Sequence, residues 1–448
     1  MKRTIVGICV LSLAACTGLY AQEAERAPFD LEASHPVGGH VIIPTSSIVH
    51  PEDAGIRAHT HFLIFVPPGH AEESTGFEEN QEIDNTTPVA GYYAETPASL
   101  ACLYGLVAKT TGCNPATLPT SKDATGGSKA IAIVDAYDYP SALADLAKYS
   151  AEFGLPAPTT ATLTVTWASA TKPPTDPTCT PGYGTYCWEA EESLDLDMAH
   201  AAAPHAHLYL VEAKSNSFAD LFAAEAKAIS LVAAAGGGEV TNSWGGGEGA
   251  SETTDDAKFI GTKVVVFAST GDRAGTEYPS TSPNVVAVGG TTLNRSPSTL
   301  DIEEETAWED GGGGISAYEK IPSYQSGVAA LKGVTHRAVP DVAAVGNPIT
   351  GVWTYDSFDN TVSGTLYPWS IFGGTSVASP LWAGIVNHAG HFNANSKAEL
   401  TEIYANAASA TDYRDITGGF CGYYDGWFAV KGWDPCTGNG APVGGGGK

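Results

Sequence analysis

"KAIAIVDAY", residues 129–137, and "SALADLAKYSAEFG", residues 141–154, decide the fold between them. The first is a short apolar run with a single acid, Asp135, near its end, and reads as a strand buried on both faces. The second repeats apolar residues at helical spacing. The alternation then recurs. "HLYLVEA" (207–213) precedes the helical "FADLFAAEAKAISLVAAAG" (218–236), and "EVTNSWG" (239–245), "KVVVFAST" (263–270) and "NVVAVGG" (284–290) add further apolar strands. Strands alternating with helices specify an α/β domain, doubly wound, with a mostly parallel sheet flanked by helices. In such sheets the working residues gather at the carboxyl ends of the strands.

Working outward, the 448 residues are 43% hydrophobic, enough for one large core or two modest ones. The 51 Gly and 28 Pro describe a loop-rich globular chain. Acidic residues outnumber basic ones 50 to 22, a net charge of −28. Nucleic acid and anionic membrane both require a basic surface, so neither is an expected partner. The balance suits an acidic milieu, where carboxylates protonate and self-repulsion fades. Lys2 and Arg3 precede an apolar run from Ile5 to Ala15, too short to span a bilayer, which reads as an export leader. Cleavage after Ala21 gives an ordinary signal peptide, residues 1–21. The alternative is the lipobox-like Leu13-Ala14-Ala15-Cys16, which gives a leader of 1–15 and a lipid anchor at Cys16. Either way the chain is exported, as a secreted or a periplasmic, outer-membrane-anchored bacterial protein, and no other stretch has transmembrane character. Apart from Cys9 and Cys16, six cysteines remain: Cys102, Cys113, Cys179, Cys187, Cys421 and Cys436. In an exported chain these three sequence-local pairs read as three disulfides. Their connectivity is inferred from proximity alone.

Three stretches carry chemistry. In "FGGTSVASPLWAG" (372–384), Ser376 follows a glycine bend at the start of an apolar helix. A serine there is a helix cap or a nucleophile beside backbone donors. "WEAEESLDLDMAHAAAP" (188–204) crowds five acids into residues 189–197. At helical spacing Glu191 and Asp195 fall on the apolar stripe with Leu194, Met198, Ala199 and Ala202. Glu189, Ser193, Asp197 and His200 fall opposite. Two inward carboxyls must be paired, protonated or functional. In "FASTGDRAG" (267–275), Asp272 follows a buried strand, as a turn former or as a site residue. The subtilisin H-G-T after the first strand is absent, as is G-x-S-x-G around Ser376.

Taken together, Glu191-x-x-x-Asp195, Gly271-Asp272 and Gly374-Thr375-Ser376 resemble the sedolisins, the serine-carboxyl peptidases. The resemblance covers about residues 95–441, through "TPASLACLYGL", "SLDLDMAHAAAPHAHLYLVEA", "YPSTSPNVVAVGGTTL", "RAVPDVAAVGNPITGVWTYDS" and "GWDPCTGNG". It implies a subtilisin-like fold with a seven-stranded sheet, hydrolysis of peptide bonds in acid, and one bound calcium ion. It assigns Ser376 as nucleophile, Glu191 as its base, Asp195 as the acid orienting Glu191, and Asp272 as an oxyanion donor. Asp135 and Trp244 stand where the family places hydrogen-bond partners of the glutamate, Trp244 having core packing as its plainer role. Calcium is implied at the side chains of Asp415 and Asp434 and the carbonyls of Ile416, Val430 and Gly432, hard oxygens of the kind the ion requires.

The resemblance implies a peptidase domain over 93–441, between an N-terminal pro-segment over 22–92 and a Gly-rich, disordered tail over 442–448. Sedolisins carry a much longer prodomain, so this segment is a shortened one or has another task. It holds six of the 12 histidines. Removal near residues 80–95 is the expected maturation. His59-Thr60-His61 sets two imidazoles on one strand face, as surface residues or as a metal pair. The reading as a whole is a monomeric, secreted, acid-acting serine-carboxyl endopeptidase of peptides and proteins. The alternatives are a tripeptidyl-peptidase of the same family, or a catalytically silent, calcium-stabilised binding module.

Overall fold

Ala130–Ala136 is buried along its whole length because both of its faces are covered. Ile131 and Ile133 point into one apolar cluster, Ala130, Ala132 and Val134 into another, the two-residue alternation of a strand. The structure, a computed structural model, describes residues 39–67, 88, 94–179, 186–358, 361–362, 365–366, 368–422 and 426–448. The leader with Cys16, and most of the 80–95 processing region, lie outside the described residues.

Among the described residues the central sheet has eight strands. In spatial order they are Ile302–Ala307, Val286–Arg295, Val264–Ser269, Gly238–Asn242, Ala130–Ala136, His207–Ala213 and Leu163–Trp167, with Val342–Val345 also pairing with Val286–Arg295. Only Ile302–Ala307 runs antiparallel to its neighbour. The mostly parallel, doubly wound sheet read from the sequence is therefore present. Helix Phe218–Ala234 covers one face. The other carries two helices, an acidic one, Trp188–Ala202, and a serine-bearing one, Thr375–Ala389. These two cross closely. A Cβ at Gly384 would lie 2.6 Å from the Ala202 Cβ and 3.1 Å from the Ala199 carbonyl, so only glycine permits the approach that brings their N-terminal turns together.

Two expectations need correction. The acidic helix has no polar outer face, because every residue from Trp188 to Ala202 is buried. The side chains opposite the apolar stripe meet backbone rather than water. Glu189 Oε1 accepts from the Asp176 N–H (2.7 Å), Asp197 Oδ2 from the Tyr355 N–H (3.1 Å), and His200 Nε2 lies 2.9 Å from the Pro156 carbonyl. The Gly-rich C-terminus is docked, not disordered. Ala441–Pro442 pairs with Tyr413–Arg414, the Tyr413 hydroxyl donates to the Gly447 carbonyl, and Lys448 Nζ donates to the Asp412 and Gly446 carbonyls.

The three disulfides join Cys102 to Cys113, Cys179 to Cys187 and Cys421 to Cys436, the nearest-neighbour pairing. The N-terminal segment supplies strands to two further sheets. His59–Thr60 pairs antiparallel with Trp244–Gly247. Leu63–Val66 pairs with Trp369–Gly373 on one side and His40–Ile42 on the other. Among the described residues, no helix is long and apolar enough to cross a membrane.

Candidate active site

Ser376 is the second residue of its helix, and the bend before it is real. Gly374 caps that helix at φ 109°, a conformation open to glycine. A Cβ there would fall 2.1 Å from the His61 carbonyl oxygen and 2.6 Å from Asp272 Oδ2. Glycine is thus required for conformation and for space, and both groups stand against this bend.

The Ser376 hydroxyl lies 3.0 Å from Glu191 Oε2, which accepts its proton, and 3.2 Å from the Ser243 carbonyl. Asp195, one turn along from Glu191, accepts from the Ser243 hydroxyl at 2.7 Å. Two carboxyls this close in a buried site repel each other when both are ionised. Burial drives the Glu191 pKa well above the ordinary carboxyl range, and the Asp195 and Asp135 charges push it further. Asp195 is raised well by burial, against the hydrogen bonds from Ser243 and Glu191. Asp135 is raised well by burial and then by Asp195, and neither of its oxygens has a hydrogen-bond partner among the described residues. Glu191, Asp195 and Asp135 thus form one buried carboxyl cluster beside the serine, in which burial favours the protonated forms.

Across the serine, Asp272 Oδ1 accepts from the Thr375 N–H (2.7 Å) and hydroxyl (2.9 Å), and the Gly271 N–H donates to that hydroxyl at 3.0 Å. These bonds leave Asp272 Oδ2 buried and without a hydrogen-bond partner among the described residues, turned toward the bend. Burial raises the Asp272 pKa well, against the opposing Thr375 bonds, so this carboxyl favours its protonated, donor form.

Trp244 does not take the part assigned by resemblance. Its indole N–H donates to the Val134 carbonyl at 2.8 Å and not to Glu191, so it braces the strand end that carries Asp135. Ser243 was not singled out from the sequence, although it lies in the strand stretch "EVTNSWG". Its carbonyl and hydroxyl tie Ser376 to Asp195, contacts that no spacing rule encodes.

The N-terminal segment fills the site. The Ser376 N–H donates to the His61 carbonyl at 3.0 Å, and the His61 N–H donates to the Ser243 carbonyl at 3.3 Å. Before His61 the chain continues antiparallel along Trp244–Gly247, and the Ala58 N–H reaches the Asn216 carbonyl at 2.9 Å. Beyond it, Phe62 is buried and stacks on Phe372 with centroids 5.3 Å apart. The surface-histidine reading of His61 therefore fails, since the residue is buried.

Near the C-terminus, Asp415 accepts from the Gly432 N–H at 3.0 Å, and Asp434 Oδ2 from the Val430 N–H at 3.1 Å. The 430–434 loop thus joins the two carboxylates into one neighbourhood of hard oxygen donors, a chemistry that fits calcium.

A model of the family described as "Subtilase family" matches residues 187–423. Kumamolisin of a Bacillus species is 31% identical over 71% of this chain and 59% of its own length. The chain belongs to the subtilase family, in its sedolisin branch. A tripeptidyl-peptidase, sed1 of Aspergillus fumigatus, is 28% identical over 48% of this sedolisin and 34% of its own length. This sedolisin therefore spans less than two thirds of these curated relatives. The solved Pseudomonas sedolisin, a serine-carboxyl proteinase complexed with pseudo-iodotyrostatin, superposes with a TM-score of 0.59 at 21% identity. It covers 79% of this chain and 96% of its own, which establishes the shared fold.

Proposed function

We propose that this sedolisin is an exported serine-carboxyl endopeptidase that works in acid and is held latent by its own N-terminal segment. The observation that carries the reading is the pairing at Ser376, whose hydroxyl faces Glu191 while its N–H already holds a peptide carbonyl. In the proposed reaction the hydroxyl attacks a scissile carbonyl and its proton passes to Glu191. Asp195, sharing a proton within the pair, orients Glu191 and disperses its charge. The Ser376 N–H and the protonated Asp272 stabilise the oxyanion. As the acyl-enzyme forms, the leaving amine takes the proton from Glu191. Water then releases the acyl group by the same path in reverse.

Two relatives are tripeptidyl-peptidases, and a groove closed three residues before the bond would favour that activity. Here the segment runs on past His59 to Arg57, which bridges to Ser217. A groove open beyond the third position supports endopeptidase action. The donor chemistry at Asp415, Asp434 and the carbonyls of Ile416, Val430 and Gly432 supports a structural calcium ion at the C-terminal loop. Digestion of casein and of an N-terminally blocked peptide across pH, with Ser376→Ala as control, tests the reading. Cleavage of both in acid is expected. Cleavage of free-amine peptides alone would make it a tripeptidyl-peptidase, and no cleavage by the processed chain would leave the silent binding module.

A further inference from the structure

A second cluster lies beside Ser376 and takes no part in the chemistry above. His59 Nε2 and His61 Nε2 approach the same oxygen, Glu277 Oε2, at 3.0 and 2.9 Å. The two ring centroids are 5.2 Å apart and the rings are inclined by 66°, and the three ligand atoms lie within 4.8 Å of one another. The histidines come from the N-terminal segment and Glu277 from the short strand Glu277–Tyr278 of the body, so the cluster joins the two. It is shielded. Side-chain exposure is 1% for His61, 5% for Glu277 and 12% for His59.

The surroundings fix which atoms are left to bind. His61 Nδ1 lies 2.7 Å from the Ser269 hydroxyl, the far-side hydrogen bond that orients a ligating imidazole. Glu277 Oε1 is held by Arg273, through Nε at 2.8 Å and Nη2 at 2.7 Å, which leaves Oε2 as the oxygen that faces the two imidazoles. Zinc bonds to imidazole nitrogen and carboxylate oxygen are about 2.0–2.2 Å, so tetrahedral ligand atoms sit roughly 3.3 Å apart. The separations here need widen by only a few tenths of an ångström. Two imidazoles and one carboxylate suit zinc or a related divalent transition metal, whereas calcium takes oxygen donors.

We propose that His59, His61 and Glu277 form a binding site for a divalent transition-metal ion of the zinc type, with water completing the shell, and that the ion clamps the N-terminal segment across Ser376. The metal site goes beyond the peptidase reading, and only its consequence, a reinforced latent state, rests on that reading.

The test uses the full chain carrying Ser376→Ala, which keeps the segment attached whatever the activity. It is stripped with a chelator, saturated with calcium to fill oxygen sites, and titrated with Zn²⁺ alone and with Co²⁺ alone. One zinc per chain, the visible spectrum of tetrahedral cobalt, and slower hydrogen exchange of the amides of residues 57–66 on adding zinc are expected. Adding His59→Ala or Glu277→Gln should each weaken zinc binding by at least about ten-fold. The absence of stoichiometric zinc would overturn the proposal, as would binding that both variants leave unchanged. Should Glu277→Gln not fold, His59→Ala at the rim of the cluster and the cobalt spectrum of the parent chain still decide. A failure of the peptidase reading appears separately, as a wild-type chain that does not digest casein whether or not zinc binds.

Discussion

At Ser376 a single hydroxyl hydrogen has two acceptors, Glu191 Oε2 and the Ser243 carbonyl, and the proposed reaction uses the first. Ser376→Ala should lose on the order of 10⁵-fold or more in casein hydrolysis with an unchanged melting temperature, read by kinetics and calorimetry on one preparation. Asp272 makes the pH dependence specific. In the proposed reaction it donates to the oxyanion only while protonated, and burial extends that form upward from the usual carboxyl range. Glu191 and Asp195 must meanwhile share a proton rather than hold two or none, so the rate should be bell-shaped with its maximum below neutrality. Asp272→Asn donates at every pH. Its reduced activity should fall less steeply toward neutral pH than that of the wild type, and an equally steep fall would remove Asp272 from the oxyanion site.

Among the elements, the N-terminal segment is held as a strand on either side of Ser376, with Phe62 buried on Phe372 between the two pairings. Large-to-small changes at such sites cost about 3–5 kcal/mol. Phe62→Ala should therefore loosen the segment and shorten the lag before activity in acid several-fold, visible in progress curves of a fluorogenic peptide. An unaltered lag would mean that the segment does not limit access. The C-terminal loop allows a parallel test of calcium. An ion that binds only the folded state stabilises by mass action. Calcium should raise the wild-type melting temperature and leave Asp415→Ala unmoved, because that substitution removes the carboxylate now bonded to Gly432. Identical wild-type melting with calcium and with chelator would argue against the ion.

For the whole molecule, buried carboxyls set the dependence of stability on pH. Burial raises Glu189, Glu212 and Glu225 to about 8 and drives Glu192 and Glu239 well up. The folded chain therefore keeps protons that the unfolded chain releases from about pH 4.5 upward. The stability that these carboxyls contribute is fully present below that value and is lost as pH rises toward about 8. The net charge of −28 at neutral pH adds repulsion in the same direction. The melting temperature should be highest near pH 4 and fall by on the order of 10 °C by pH 8 in a scan of the Ser376→Ala chain. A rising trend would show these carboxyls to be ionised and compensated in the fold.

Local order determined a large part of this protein. Strand runs such as Ala130–Ala136 and the helical spacing around them specified a parallel α/β sheet. One turn of helix put Glu191 beside Asp195, and a glycine pair put Ser376 at a helix start. The cysteines close in sequence are the ones that pair. All of these are relations within a few residues, which periodicity and turn chemistry encode. Relations across long separations came only with packing. The acidic helix is buried all round because a loop at Asp176 and a strand end at Tyr355 supply N–H donors to Glu189 and Asp197. The Trp244 indole went to the nearest strand carbonyl instead of the glutamate. The C-terminus docks because Lys448 finds carbonyls at Asp412 and Gly446 once the glycines have turned the chain back. His61 meets Glu277 across 216 residues because the segment completes two sheet edges flanking the serine. An unpaired strand edge accepts whichever chain its geometry admits, and that choice belongs to the assembled molecule.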